Sequence, residues 1–252
     1  MSTQIQLHKQ FLTRPAVVSK FAEMLGEKRA SAFLTSVLQV VSQNTLLQKA
    51  TTESIFHAAA TAASIDLPIN NSLGFAYIVP YKGQAQFQIS YKGLIQLCQR
   101  SGQFRTISAS PIYAGQLVSE NPLTGFEFDF TVKASGSPIG YAAYFELING
   151  FKKTLYMSKE QVQEHAGKYS QTFKKGYGVW KDEFDSMAQK TVLKLLLGKY
   201  APMSVEMQKA TIADQGVVKD SDTLEVEYID NDNSGQTAEL NEFLSDNEEA
   251  TK

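Results

Sequence analysis

Cysteine and tryptophan each appear once in 252 residues, and histidine three times. A lone thiol excludes an internal disulfide and any multi-cysteine zinc site, which fits a reducing compartment. His8, His57 and His165 lie too far apart in sequence to form a spaced pair of metal ligands, so no metal site is assigned. No apolar run approaches the roughly 20 residues of a membrane span. The opening MSTQIQLHKQF has no apolar core of the signal-peptide kind. An intracellular, cytoplasmic protein without a membrane partner is expected. A phosphate-binding loop needs GxxxxGK followed by Ser or Thr, and neither Gly167-Lys168 nor Gly198-Lys199 satisfies it, which argues against ATP-driven action.

Catalytic residues are equally scarce. Asp182, Glu183 and Asp185 invite comparison with a two-metal nuclease cluster, but residues spaced i, i+1 and i+3 do not all share one helix face. Acids in a first turn also complement the helix dipole. Cys98 falls on the apolar stripe of a short helix and reads as a buried, inert thiol. No catalytic residue is assigned.

What the chain does have is an uneven charge. The net charge of −2 divides into +2 over residues 1–69, +6 over 70–210 and −10 over 211–252. A basic middle with an acidic end suits a polyanion-binding body carrying an interaction tail, or simply a solvated surface with a solubilising end.

The organisation reads as α+β. Ala30, Phe33, Leu34, Val37, Leu38 and Val41 recur at helical spacing, and Thr52 is placed to cap a second helix that runs to Ser64. From Pro68 to Gly102 the period changes twice. Phe75–Pro80 reads as a strand, Tyr81-Lys82-Gly83 as a tight turn, and Ala85, Phe87 and Ile89 alternate with Gln84, Gln86 and Gln88. This predicts a hairpin with a wet, amide-rich face. Ser90 then caps a short helix that closes at Gly102. Phe104–Ile112 and an alternating Phe126–Val132 read as strands, and Ile139–Leu147 and Phe151–Met157 flank a type I′ turn at Asn149-Gly150. Ser158 and Gln161 form a capping box for a short helix, Lys168–Gly178 reads as a loop, and a long helix spans Val179–Lys199 across the sheet. On that helix Trp180, Phe184, Ala188, Thr191, Val192, Leu195 and Leu196 form the buried stripe, with Lys190 and Lys194 together on another face. Beyond Gly216 the acidic, polar composition predicts a disordered tail. The expected division is a core of residues 1–212 and a flexible tail of 213–252.

Lys168–Lys181, KYSQTFKKGYGVWK, interleaves four lysines with Tyr169, Phe173, Tyr177 and Trp180 and contains no acid. Single-stranded nucleic acid calls for this combination, with cations along the phosphates and flat rings that stack on bases for about 1–3 kcal/mol each. The plain alternative is a loop whose rings plug the core while its lysines face water.

Two blocks carry a wider resemblance. LPINNSLGFAYIVPY with QAQFQISYKGLIQLCQRSGQF, and KKGYGVWKDEFDSMAQKTVLKLLLGKYAP, closely resemble the RecT family of phage single-strand annealing recombinases, over roughly residues 10–210. The resemblance implies ATP-independent annealing of complementary DNA strands beside a processive exonuclease, and assembly into rings or helical filaments. It also implies a compact α+β core, a bacterial host cell with a phage or prophage gene, and no required cofactor, with Mg2+ at most modulating DNA binding. The acidic tail is the expected dock for the exonuclease or the host single-strand-binding protein.

Annealing without ATP requires one strand held with its backbone neutralised and its bases outward. The expected partners are single-stranded DNA, annealed duplex and further copies of the chain. For phosphate contacts we select Lys92, Arg105, Lys168, Lys174, Lys175, Lys181, Lys190 and Lys194, and for stacking Tyr91, Tyr169 and Phe173. Asn70, Ser72, Gln86 and Gln88 are candidates for hydrogen bonds to phosphate or sugar. Each has a structural alternative: solvated amides, an ion pair at Arg105, a subunit contact at Lys190 and Lys194, a hairpin cap at Tyr91. Two rival functions remain at this level, a metal-dependent nuclease and a non-annealing nucleic-acid coat protein.

Overall fold

A computed structural model describes residues 3–121, 123–176, 178–214, 216–221 and 223–227. The chain begins with helices α1 (Thr3–Leu12), α2 (Pro15–Leu25), α3 (Glu27–Gln43) and α4 (Thr52–Ser64). The helical spacing read from Ala30 onward holds: Ala30, Leu34, Val37 and Val41 are buried on α3. Thr51 rather than Thr52 caps α4, its hydroxyl accepting from the Ser54 amide.

The hairpin follows as β1 (Ala76–Tyr81) and β2 (Gln84–Ile89), with Tyr81 opposite Gln84. Lys82 and Gly83 both take positive φ (48° and 77°), the pair of conformations a type I′ turn requires. Helix α5 (Tyr91–Arg100) starts at once. The Ser90 hydroxyl donates to the Gly74 carbonyl at 2.5 Å and accepts from the Gly93 amide at 3.1 Å, so one side chain fixes both the strand exit and the helix entry.

The main sheet has the order β3-β6-β7, all antiparallel, from β3 (Phe104–Ile112), β6 (Gly140–Leu147) and β7 (Lys152–Ser158). A side hairpin, β4 (Leu117–Asn121) and β5 (Gly125–Phe128), folds back on its outer face. There Phe126 and Phe128 pack against Tyr156, Ile112 and Ala142. Gly140 is glycine because the Tyr156 ring lies where its Cβ would stand. The strand expected over Phe126–Val132 stops at Phe128, because the Asp129 carboxylate accepts from both the amide and the hydroxyl of Thr131 and turns the chain. The β6–β7 connection is also not type I′. Asn149 lacks positive φ and Gly150 has it (89°), while the Gly150 amide donates to the Leu147 carbonyl, giving a three-residue loop that ends in a glycine bulge.

Helices α6 (Lys159–Tyr169), α7 (Gln171–Lys174), α8 (Val179–Asp182) and α9 (Phe184–Tyr200) come next, so the expected loop is partly helical and the expected long helix is broken. The break is at Glu183, whose φ of −136° and ψ of 50° leave the helical region. The Ser158–Gln161 capping box of α6 is present as expected. Helix α9 crosses the sheet, contacting all three of its strands, and meets α5 on another side. Contact on two sides buries Leu193 and Leu197 as well as Ala188, Val192 and Leu196, whereas Leu195 is exposed.

The packed chain does not stop at the expected boundary. Helix α10 (Val205–Ala213) follows Pro202, and β8 (Val217–Asp220) with β9 (Glu225–Glu227) occupies the start of the stretch expected to be a disordered tail. Val217 and Val218 are buried, and β8 packs on α4 and β2. The remaining 25 residues of that tail, 228–252, lie outside the described residues.

Gly93 tests how tightly α5 sits on the hairpin, since a Cβ there would meet the carbonyl oxygen of Phe75. Gly93→Ala is expected to lower stability by about 1–3 kcal/mol, the range for overpacking. Urea unfolding followed by circular dichroism measures it, and an unchanged midpoint would refute the tight contact.

Candidate nucleic-acid interface

The hairpin and the start of α9 stand side by side. The Gln88 side chain reaches Met187 Sδ at 3.9 Å. Tyr77, across the strand from Gln88, has its hydroxyl pKa raised first by burial and then by the nearby Glu183 and Tyr91. The face they share is drier than expected. Gln86 is only 5% exposed, and Ala85, Gln86 and Phe87 are buried in succession. The amide face is closed at one end by Thr51, which donates to Gln84 Oε1, and at the other by Met187. Gln86 therefore cannot present its amide to a strand, and Gln88 is half-buried. An open groove of about 270 Å³ lies between the end of α3 and β1, lined in part by Val40, Asn44, Tyr77, Ile78, Val79 and Pro80.

Tyr91 is half-buried against the core and Lys92 is exposed. Gly93 is buried against Phe75, so the Tyr91-Lys92-Gly93 step offers a ring edge and a cation but no open backbone. Asn70 and Ser72 are exposed, joined by a bond from the Ser72 amide to Asn70 Oδ1.

The α6–α8 segment separates rings from lysines. Phe173, Trp180, Phe184 and Tyr141 form a chain of ring contacts at 5.6, 5.6 and 6.0 Å, leading from the segment into the sheet. Trp180 is buried and Phe173 half-buried. Tyr169 packs 4.7 Å from His165, with Lys168 Nζ 4.8 Å from the Tyr169 ring centre. Lys174, Lys175 and Lys181 are exposed, and with Lys92 they stand in no ion pair among the described residues. Tyr177 lies outside the described residues. The aromatic chain anchors the segment, and its lysines are left facing water.

Three other selections are placed differently. Arg105 donates to Glu146 Oε1 at 3.1 Å and to the Ile148 carbonyl at 3.4 Å. It stands at the end of the sheet away from α6, about 20 Å along β6 at ~3.3 Å per residue. Lys190 and Lys194 do not form an open basic face. Lys190 is 3% exposed, and its Nζ lies 2.8 Å from Asp214 Oδ1, while Lys194 Nζ lies 3.1 Å from Asp214 Oδ2. Asp214 Oδ1 also accepts from the Ile89 amide at 3.2 Å. Burial alone would raise the Asp214 pKa, but the two ammonium groups and their hydrogen bonds outweigh it and hold the carboxyl below its ordinary range. Burial lowers the pKa of Lys190. Asp214 escapes a reading of the sequence because it falls at the head of the acidic stretch, and only its position directly after helix α10 distinguishes it there.

The suspected nuclease acids diverge: Asp185 accepts a hydrogen bond from the Tyr141 hydroxyl, and Glu183 faces Tyr77. Among the described residues no group of three or more His, Cys, Asp or Glu side chains is arranged to hold a metal, and no helix is long and apolar enough to cross a membrane. Cys98 is buried and its thiol pKa is pushed up to about 12, chiefly by that burial.

The geometry places a basic, ring-anchored segment near the hairpin, and comparison with known proteins gives the family. The model of the RecT family matches residues 31–228. The chain belongs to the RecT family. The uncharacterized protein YqaK of Bacillus subtilis (strain 168) is 45% identical over 245 residues, which span 97% of this chain and 82% of that protein. Protein RecT of Escherichia coli (strain K12) is 27% identical over 255 residues, spanning 89% of this chain and 88% of its own length. Membership supports a role in DNA recombination and strand annealing and implies binding of single-stranded DNA.

Removing the Asp214 charge leaves Lys190 buried without a counter-ion. Asp214→Asn is expected to cost about 3–5 kcal/mol, and adding Lys190→Met to recover part of it. A depressed carboxyl pKa contributes stability above the unfolded value of about 3.9 and loses it as pH falls through the folded value. The stability gap between the native chain and Asp214→Asn, followed by urea unfolding, is therefore expected to be full at pH 7 and to narrow below about pH 4. A gap independent of pH would refute the ionised triad.

Proposed function

We propose that this protein anneals complementary single strands of DNA without ATP, holding a strand against the α6–α8 segment and the Asn70–Lys92 side of the hairpin and working as an assembly of copies. The observation that carries this is the separation within α6–α8, where a chain of rings fixes the segment to the sheet and Lys174, Lys175 and Lys181 stay exposed and unpaired among the described residues. Lys92 and Lys168 extend the same set of phosphate contacts. Tyr91, Tyr169 and Phe173 are the rings available at its edge, and Asn70 and Ser72 the polar groups. Lysines that contact phosphates give affinity without reading sequence, and base pairing then selects the partner strand.

Arg105, Lys190, Lys194 and Gln86 are not part of this surface, because each is committed to a partner or buried. The acidic residues beyond Glu227 are assigned to docking an exonuclease or the host single-strand-binding protein, and Mg2+ to modulating DNA binding. The protein forms no covalent intermediate in this reading.

Pairing of complementary oligonucleotides in EDTA and without nucleotide, followed by fluorescence quenching, is expected to run faster with the protein than without it. No acceleration would overturn annealing, and loss of labelled strand on adding Mg2+ would favour a nuclease. Lys174→Ala with Lys175→Ala is expected to weaken binding alike across sequences. The slope of log affinity against log salt should flatten by about 0.7 for each phosphate that is no longer neutralised. An unchanged slope would remove both lysines from the surface.

A further inference from the structure

The two edges of the β1–β2 hairpin are treated differently. On β2 the amides of Ala85 and Ile89 point outward, to Ser54 and Asp214. These residues stand opposite Pro80 and Ala76, with Phe87 and Ile78 as the pair between them. Alternate pairs of an antiparallel ladder share one phase, so on β1 the outward backbone groups belong to Ala76, Ile78 and Pro80. Ala76 is bridged to Ile69. Pro80 has no N–H, and neither its carbonyl nor the two backbone groups of Ile78 make an outward hydrogen bond among the described residues.

This open edge borders the groove of about 270 Å³ between β1 and the end of α3. Tyr77, Ile78, Val79 and Pro80 all line it, so it reaches both faces of the strand, and Val40 and Leu47 add apolar wall from the α3 side. No lining residue is charged. No Asp or Glu lies between Glu27 and Glu53 or between Asp66 and Glu120, the stretches that supply the whole lining. The nearest charges in sequence are the exposed Lys49 and Lys82, each two residues beyond a lining residue.

An unpaired strand edge inside an apolar groove receives an extended segment as a further strand. Consecutive residues of that segment point to opposite faces, one beside Ile78 and Pro80 and the next beside Tyr77 and Val79. Two adjacent large apolar side chains therefore suit the site. The 25 residues beyond Glu227 contain two such pairs, Tyr228-Ile229 and Phe243-Leu244. The first follows directly on β9, which pairs with β8 on the β2 side of the hairpin. The second lies 16 residues past Glu227, a reach of up to about 50 Å, and only a few strand spacings of ~4.8 Å have to be crossed. Its acids, Glu239, Glu242 and Asp246, meet no like charge along the lining stretches. We propose that the segment around Phe243-Leu244 seats in this groove of its own chain, paired with the backbone of Ile78 and with its acids toward Lys49 and Lys82. Seated so, the tail is latched, and a partner that docks through Phe243 and Leu244 has to lift it first. The latch goes beyond the docking role proposed for the residues past Glu227, and its test reads no annealing, so either can fail without the other.

Hydrogen exchange at the Ile78 amide tests it, in the full-length chain and in its double variant Phe243→Ser with Leu244→Ser, after circular dichroism spectra confirm the fold of both. In the native chain this amide is expected to exchange at least tenfold more slowly than in the double variant, while the Ile89 amide, held by Asp214, exchanges alike in the two. A synthetic peptide of residues 238–248, added to the double variant at about the millimolar effective concentration that a short flexible link provides, is expected to restore the protection. The same peptide carrying both serines is expected to leave the amide unprotected. Equal Ile78 exchange in the two proteins, no protection by the native peptide, or equal protection by the serine peptide would each overturn the latch. Protection in the native chain is expected to be independent of protein concentration. Protection that appears only as the concentration rises would put a neighbouring copy's tail in the groove and overturn seating within one chain.

Discussion

The carboxylate of Asp214 is the point on which the arrangement of the core depends. It accepts from Lys190 and Lys194 on α9 and from the backbone of Ile89 on β2, so one buried group ties the crossing helix, the hairpin and the C-terminal segment together. A charge buried this deeply is tolerated only because both oxygens are engaged, and removing any one partner leaves a desolvated ion. The same atom resolves a second difficulty. Strand β2 is the outer strand of a two-stranded sheet, and its outward amides would invite another chain. The Ala85 amide donates to the Ser54 hydroxyl and the Ile89 amide to Asp214, which occupies that edge at both ends.

This makes two populations of lysine in a chain whose sequence presents them as one. Lys190 and Lys194 are structural cations matched to an internal anion, and Arg105 and Lys152 share Glu146. The net +6 of residues 70–210 therefore overstates the charge available to a polyanion in the α6–α8 region. In the annealing mechanism proposed above, a modest number of free lysines is an advantage. A strand held by few contacts per copy can be released into a duplex, while many copies together keep it bound.

What could be read from the sequence was what neighbouring residues decide among themselves. Ser90 and the Ser158–Gln161 box cap their helices, Gly102 takes positive φ (69°), and β3, β6 and β7 fall within a residue of their expected spans. The errors arise where a distant residue intervenes. Gln86 alternates correctly and still is not wet, because Thr51 and Met187 close its face. Lys190 and Lys194 are spaced as an exposed pair, yet Lys190 is buried and Lys194 half-buried, because their partner arrives 24 and 20 residues later. The breaks at Glu183 and Asp129 are local: the Glu183 backbone leaves the helical region, and the Asp129 carboxylate takes the Thr131 amide and hydroxyl. Of the candidate interface, exposed Lys174, Lys175 and Lys181 were legible, as was the burial of Trp180 on its helical stripe, and the anchoring role of Phe173 was not, since it is set by Trp180 and the sheet beneath.

The distance in sequence between Ile89 and Asp214, 125 residues, has a consequence for the chain as it is made. At a synthesis rate of about 5–20 residues per second, β2 has emerged for roughly 6–25 seconds before its cap exists. Throughout that interval the Ile89 end of the hairpin edge is uncovered, although Ser54 already holds the Ala85 end, and Lys190, once made, has no anion to receive it. Completion of the core is thereby deferred until Asp214 has been made. A nascent chain stopped short of α10 would carry a partly open strand edge, whose nearest complement is the same edge on a neighbouring nascent chain.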